Sequence, residues 1–170
     1  MGRQDEIIQK INELKKHFDN NLNNKYVKNI VLKLDIGNDI KHSMNILLDY
    51  KTLYFDSKGT IEDLYQSIKA VAYFLREVQI RVLPSMSTYN ADSFFNATSS
   101  KDPNDKILYQ MAVKNYPMNI KLLAKMSLEL LKMVVQYDKE NFTTNPVVEQ
   151  LKNFDEIVNT LKSTIEHEDK

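Results

Sequence analysis

The chain has 170 residues with 23 basic and 23 acidic side chains, so its formal net charge at pH 7 is zero. A balanced charge creates no overall field that attracts polyanions, so charge-driven binding has to be local. The chain contains no cysteine, which excludes disulfides, thiolate zinc sites and a cysteine nucleophile. This length is typical of one domain, and we predict a single helical-bundle domain over residues 1–170.

Composition and hydropathy also bear on location. The first residues, 1–6, are charged where a secretory signal needs an apolar stretch. Apolar runs are far shorter than the ~20 residues that cross a bilayer. We therefore expect a soluble, cytoplasmic protein without a membrane partner. Three glycines and four prolines favour helices over tight-turned sheets.

The first third of the chain repeats apolar side chains at helical intervals. They recur every three or four residues over 7–22, which predicts a first helix. The period returns over 27–55, with a break expected at Gly37 and a C-terminal cap at Gly59. An alternation of apolar and polar residues over 31–36 also fits a short strand, which has no second strand to pair with.

The next helix is expected to begin at Thr60, which with Asp63 resembles a capping box. Its apolar face continues until Pro84 ends it. From Ser85 to Asp102 small polar residues dominate and no period survives. We expect one long irregular loop there, well above the usual length of about 4 to 6 residues; it is either functional or mobile.

Asp102 followed by Pro103 pairs a capping residue with a proline suited to the first helical position, and predicts a helix start. We expect this helix to be short, because Pro117 should interrupt or kink it. The helix that follows, over about 118–139, is apolar around most of its circumference and should be central.

Asn145 and Pro146 repeat the signal for a helix start, and a final amphipathic helix is predicted over 147–165. Short connections between helices of similar length are typical of antiparallel bundles. The predicted fold is all-α, an antiparallel helical bundle of five to six helices with one long irregular loop.

Residues that usually carry chemistry are scarce. The chain has three histidines, and no Glu-x-x-His pair of the kind that builds di-metal sites in bundles. His42 follows Asp39 by three residues, and we interpret it as structural. Acidic residues within helices fall on polar faces or near ends, which predicts no buried carboxylate ligands. We expect no catalytic residues, no metal and no cofactor, which favours a protein that is not an enzyme.

Five lysines recur around the predicted central helix at steps of 7, 4, 7 and 7. The last four project within about 40° of arc on a helix of 3.6 residues per turn. We name the set the lysine ridge; it consists of Lys114, Lys121, Lys125, Lys132 and Lys139. The ridge is either the solvent strip of a buried helix or a contact surface for an acidic partner or a nucleic-acid backbone.

Two smaller groups are further candidates. Tyr89, Phe94 and Phe95 lie in the predicted loop, where they either pin it to the core or present anchors to a partner. Arg76 and Arg81 precede the loop and either stabilise a helix C-terminus or contact a small anion.

These patterns predict a non-enzymatic helical bundle that acts through protein–protein contacts, as a structural, regulatory or assembly subunit. Its partner would be another protein or a second copy. The candidate partner-binding residues are Tyr89, Phe94, Phe95, Lys121, Lys125 and Lys132. One alternative is a small helical subunit of a nucleic-acid-binding complex, although the ridge lacks the arginines and aromatics typical of such surfaces. Another is an anion-binding or enzymatic bundle with an interhelical site.

Overall fold

The computed structural model of the chain describes residues 3–21, 58–82, 84 and 103–168. These residues form five α-helices and one π-helical turn, and no strand occurs among them. In chain order the elements are α1 (Arg3–Asn21), α2 (Lys58–Glu77), the π turn (Val78–Val82), α3 (Pro103–Asn141), α4 (Val147–Gln150) and α5 (Phe154–Ile165). The predicted all-α class is confirmed for this part of the chain.

Helix α3 is the central element, since it packs against α1, α2 and α5. At the interface with α1, the Gln4 amide donates to the Tyr137 hydroxyl at 2.7 Å, and Lys10 pairs with Glu129. Residue numbers therefore rise along α1 as they fall along α3. The two helices are antiparallel.

Helix α2 also runs opposite to α3. The Lys58 ammonium lies 5.8 Å from the ring centroid of Phe142, the residue that follows α3. About two turns further along α2, the Tyr65 hydroxyl donates to Asp138 at 2.9 Å. The start of α2 therefore lies beside the end of α3.

Helices α2 and α5 run in the same direction. The ring of Tyr65 meets that of Phe154, at the start of α5, edge-on with 6.5 Å between centroids. Further along both helices, the Gln79 amide donates to the Thr164 carbonyl at 2.9 Å. As a result α1, α2 and α5 are each antiparallel to α3.

One apolar core fills the space between these helices. Its members recur at helical intervals, so each helix turns one face inward. The largest fully buried side chains are Tyr65, Tyr116, Ile7, Leu14, Ile61, Leu64, Ile68, Leu75, Ile120 and Leu123. At the far end of α1, the ring of Phe18 packs against Phe74 of α2 with 5.6 Å between centroids. The apolar stripe predicted for the first helix is part of this core.

The start of α2 differs from the prediction. The helix begins at Lys58, so Gly59 lies in its first turn and is not the C-terminal cap of a preceding helix. Thr60 is likewise inside the helix and not at its N-cap. Lys58 docks on the ring of Phe142, and this contact between distant parts of the chain holds the earlier turn in place.

Of the two outcomes expected at Pro117, the interruption is wrong, and the kink stays a prediction. Helix α3 continues without a break from Pro103 to Asn141, so the short helix and the central helix are one element. An interior proline costs a helix about 3 kcal/mol. Tyr116 and Ile120, on either side of it, are almost completely buried, and burial of such side chains contributes about 1.5–3 kcal/mol each. Packing therefore offsets the proline, while the predicted start at Pro103 is confirmed.

The single last helix predicted over 147–165 is also wrong. The chain forms α4 and then α5, with Leu151 between them in an extended conformation (φ −78°, ψ 120°). Asn153 occupies the N-cap position of α5, and its carbonyl accepts a hydrogen bond from the Ile157 amide at 3.2 Å. After the break, α5 has a different helical phase, which turns Ile157 and Leu161 toward the core.

Several predictions lie outside the described residues. They are the break at Gly37, the alternative strand over 31–36, the structural assignment of His42 and the long loop from Ser85 to Asp102. The expected end of the preceding helix at Pro84 stays a prediction: α2 continues as the π turn to Val82, Pro84 is itself helical, and the residues after it lie outside the described ranges.

Candidate functional site: the outer face of the long helix

Helix α3 presents the lysine ridge to solvent. Lys114, Lys125, Lys132 and Lys139 are exposed, and Lys121 is half-buried. The ridge lies opposite the buried residues of α3, because the charged and apolar positions follow the same helical period out of phase. At 1.5 Å per residue it is roughly 38 Å long. Both interpretations of the ridge require this exposure, so exposure alone does not separate them.

Two large apolar side chains lie beside the ridge. Met118 is 73% exposed and Leu122 is 40% exposed, one helical turn apart. On an α-helix they project about 40° and 80° from the centre of the ridge. Lys114 and Lys125 flank them in sequence. We name Met118 and Leu122 the apolar pair. Periodicity predicted that α3 is buried around most of its circumference, so the exposure of this pair was not expected from the sequence.

The acidic residues near the ridge are neutralised by cations from α1. Glu129 pairs with Lys10, and Glu140 accepts from the Arg3 Nε at 2.7 Å. Exposed ion pairs of this kind contribute at most about 1 kcal/mol each to stability. Their larger effect is electrostatic, because they cancel the two carboxylates that would otherwise offset the lysines of this face.

The exposed ridge lysines themselves have no such partners. Across the described ranges, no ion pair involves Lys114, Lys125, Lys132 or Lys139. The outer face of α3 therefore combines an exposed apolar pair with four lysines that lack an ion pair within the described ranges, Lys114, Lys125, Lys132 and Lys139. That combination suits a ligand that is both acidic and partly apolar.

Behind this face, the fully buried Asp138 joins α3 to α2 and α4. Its Oδ2 accepts from the Tyr65 hydroxyl at 2.9 Å and from the Val148 amide at 2.8 Å, and its Oδ1 accepts from the Val147 amide at 2.9 Å. The two amides open α4, where no acceptor exists within the helix. Burial, and then the hydrogen bond and charge of Asp138, raise the pKa of Tyr65 far above its usual value, so this phenol stays a donor.

The position of Asp138 corrects the expectation that helical acids, on polar faces or near helix ends, are solvated. It is fully buried. Asp138 follows Val134 by four residues and Leu131 by seven, and both of these are buried. The helical period therefore marks Asp138 as inward-facing, and this signal was present in the sequence.

The two candidate arginines contact different residues. Arg76 is half-buried; its Nη1 donates to the Gln79 Oε1 at 2.6 Å and lies 3.3 Å from the His167 Nδ1. Arg81 is exposed, and its Nε pairs with the Glu77 Oε2 at 2.9 Å. Since Arg81 already has a carboxylate partner, a joint site for one anion between the two arginines stays a prediction.

Two of the depressions on the described surface lie on α1 and beside α2. One of about 400 Å³ is open and lies along α1, between Asp5 and Lys16. The other, of about 270 Å³, is a polar groove between α2 and the α4–α5 turn, lined among others by Gln66, Lys69 and Asn153. Neither is lined by a ridge lysine or by a candidate arginine, so neither extends the outer face of α3.

Other candidates are absent or lie elsewhere. Tyr89, Phe94 and Phe95 fall outside the described residues, so their role in a partner contact stays a prediction. Within the described part of the chain, no group of three or more His, Asp or Glu side chains could hold a metal ion. None of the helices resolved there has the length and apolar character to cross a bilayer.

Comparison with protein-family models, curated proteins and solved structures finds no match to this chain.

Proposed function

We propose that this chain is a non-enzymatic binding protein that contacts a partner protein through the outer face of α3. The observation that supports this most directly is the apolar pair within the lysine ridge. If the outer face of α3 served only solubility, its lysines would be sufficient. Met118, which is 73% exposed, adds nothing to solubility. Covering such side chains with a partner contributes about 25 cal/mol per Å² of apolar surface removed from water.

The partner we propose is an acidic, partly apolar segment of another protein. Its apolar side chains would cover Met118 and Leu122. Its carboxylates would lie beside Lys114 and Lys125, which carry no ion pair within the described ranges. Charge complementarity of this kind sets the orientation and raises the association rate more than it raises affinity.

A protein partner is favoured over a nucleic acid by the composition of the same face. Helix α3 contains no arginine, although arginine supplies many of the base and phosphate contacts in nucleic-acid interfaces. Tyr116 and Tyr137 are buried and cannot offer rings for base stacking. A polyanion backbone would also leave the apolar pair uncovered.

The proposal is tested by crosslinking from this face in cells. A photoreactive amino acid replaces Leu122 in one variant and Lys162, an exposed residue of α5, in a control. We expect protein adducts from position 122 and not from position 162, with the crosslinked peptide rich in Asp, Glu and apolar residues. Native mass measurement of the complex separates a second copy of this chain from a different partner.

Binding of that peptide, made synthetically, then gives the energetics. We expect Leu122→Ser and Lys125→Glu each to weaken binding about tenfold, which corresponds to 1.4 kcal/mol, while Lys162→Glu leaves it unchanged. Equal crosslinking from both positions would contradict the proposal. Binding of labelled RNA or duplex DNA that Lys121→Glu, Lys125→Glu and Lys132→Glu weaken, but Leu122→Ser does not, would replace it with the nucleic-acid alternative.

A further inference from the structure

A second polar cluster lies where α2 passes into the π turn. It consists of Arg76, Gln79 and His167. Gln79 is only 2% exposed, and its amide is used at both ends: Nε2 donates to the Thr164 carbonyl at 2.9 Å, and Oε1 accepts from Arg76 at 2.6 Å. A buried amide held in this way fixes the guanidinium that it contacts.

The cluster is cationic, and among the described residues no ion pair neutralises it. Within the residues that the structure describes, no carboxylate lies at ion-pair distance from Arg76 or His167. The acid adjacent in sequence, Glu77, is paired with Arg81. A half-buried guanidinium without a counter-charge attracts an anion more strongly than one in open solvent, because the local dielectric is lower.

We propose that Arg76 and His167 form a binding site for one oxyanion, a phosphate or carboxylate group. The planar guanidinium carries five N–H donors, and Gln79 accepts from Nη1 alone. The donors on Nη2 and Nε are the ones that match a pair of oxyanion oxygens. The site is on other elements than the outer face of α3, so it stands or fails independently of the partner proposed above.

His167 contacts the same nitrogen of Arg76 as Gln79 does. Its Nδ1 lies 3.3 Å from Arg76 Nη1, and the Gln79 Oε1 lies 2.6 Å from that nitrogen. The imidazole and the amide therefore hold the guanidinium at Nη1, and Nη2 and Nε are the donors that an oxyanion can meet.

Within the described residues, four charged side chains lie close to Arg76 or His167 in sequence. Near Arg76 they are Glu77 and Arg81, which pair with each other. Beside His167 they are Glu166 and Glu168, which are exposed. Helix α3 contributes no hydrogen bond or ion pair to Arg76 or His167 over its described side chains. The exposed carboxylates compete with an added anion only weakly, since water screens them.

Nuclear magnetic resonance titration with sulfate and with acetate tests the site on the full chain, at constant ionic strength set by chloride. We expect saturable shifts of the Arg76 and His167 side-chain signals with both ions. Preference for sulfate over acetate identifies phosphate as the natural group, and the reverse identifies a carboxylate.

Variants separate the site from general charge effects. Arg76→Gln should weaken binding about tenfold, and His167→Gln, which removes the imidazole from Arg76 Nη1, should weaken it by a smaller factor. Arg81→Gln is the matched control and should bind like the original chain. If Arg76→Gln does not fold, Arg76→Lys keeps the charge without the planar fork and should still weaken binding. Absence of saturable shifts, or equal binding by the Arg76 variant and the control, would overturn the proposal.

Discussion

At the scale of single residues, Asp138 links more of the fold than any apolar side chain can. It lies in α3, accepts from Tyr65 of α2 and accepts from the first two amides of α4. A fully buried carboxylate is tolerated only when donors satisfy it. Here the donors come from two other elements, so the same three hydrogen bonds that stabilise the carboxylate also set where α2 and α4 lie.

We predict that Asp138→Ala lowers the free energy of unfolding by about 3–5 kcal/mol, because it leaves three buried donors without an acceptor. Tyr65→Phe removes one of the hydrogen bonds and should cost about 1–2 kcal/mol. Urea unfolding of the single and double variants measures both effects. In the Asp138→Ala background, Tyr65→Phe should cost much less; an equal cost in both backgrounds would show that the two side chains are not coupled.

A second prediction concerns Tyr73. Burial, a hydrogen bond to Glu156 and the charge of Glu156 raise the pKa of Tyr73 to about 12, against about 10 in an unfolded chain. The folded state holds this proton more tightly, so the contribution of Tyr73 to stability is complete below about pH 10 and is lost as pH rises to about 12. Tyr73→Phe should flatten the loss of stability in that window, measured by urea unfolding at several pH values. Glu156→Gln should lower the pKa of Tyr73, measured by phenolate absorbance; parallel stability curves for the original chain and Tyr73→Phe would contradict this assignment.

At the scale of helices, local rules predicted starts better than interruptions. Pro103 opens α3 as expected, since a proline at the first helical position needs no N–H. Pro117 failed as a helix breaker, because the helix on both sides is packed against the core. The break between α4 and α5 was missed because the position of α4 depends on a residue outside the segment. Asp138 of α3 accepts from the first amide of α4, and no pattern within 147–165 reveals that partner.

The third prediction follows from the unbroken α3. Replacing Pro117 with Ala restores one backbone donor and removes the ring clash with the preceding turn. We expect Pro117→Ala to raise the free energy of unfolding by about 1–3 kcal/mol, with unchanged helical circular dichroism. Pro103→Ala is a matched control at a position where proline is favoured, and should not stabilise. A loss of stability in Pro117→Ala would mean that a bend at Pro117 is needed for packing.

At the scale of the whole molecule, the sequence predicted the inward faces of α1 and α2 and the solvent-facing lysine ridge, but not the exposed apolar pair or the contact between Arg76 and His167. The buried stripes of α1 and α2 follow from one repeating interval, whereas α5 has a new phase after the break at Leu151. The exposure of Met118 and Leu122 depends on which sides of α3 its neighbours cover, and the contact between Arg76 and His167 joins residues 91 positions apart. Periodicity indicates that a face is buried but not which helix covers it. Neither feature could therefore be predicted from the sequence.

The last prediction is that the described helices unfold together, because their buried side chains form one continuous core. Leu14 in α1 and Leu161 in α5 are both fully buried, and replacing either with Ala should cost about 2–5 kcal/mol. Each substitution should shift a single transition, seen at the same urea concentration by circular dichroism and by tyrosine fluorescence. As a control, Asn12→Ala on the exposed side of α1 should change stability by less than about 0.5 kcal/mol. Two separate transitions, with Leu14→Ala moving only one, would show that α1 unfolds independently of the helices around α3.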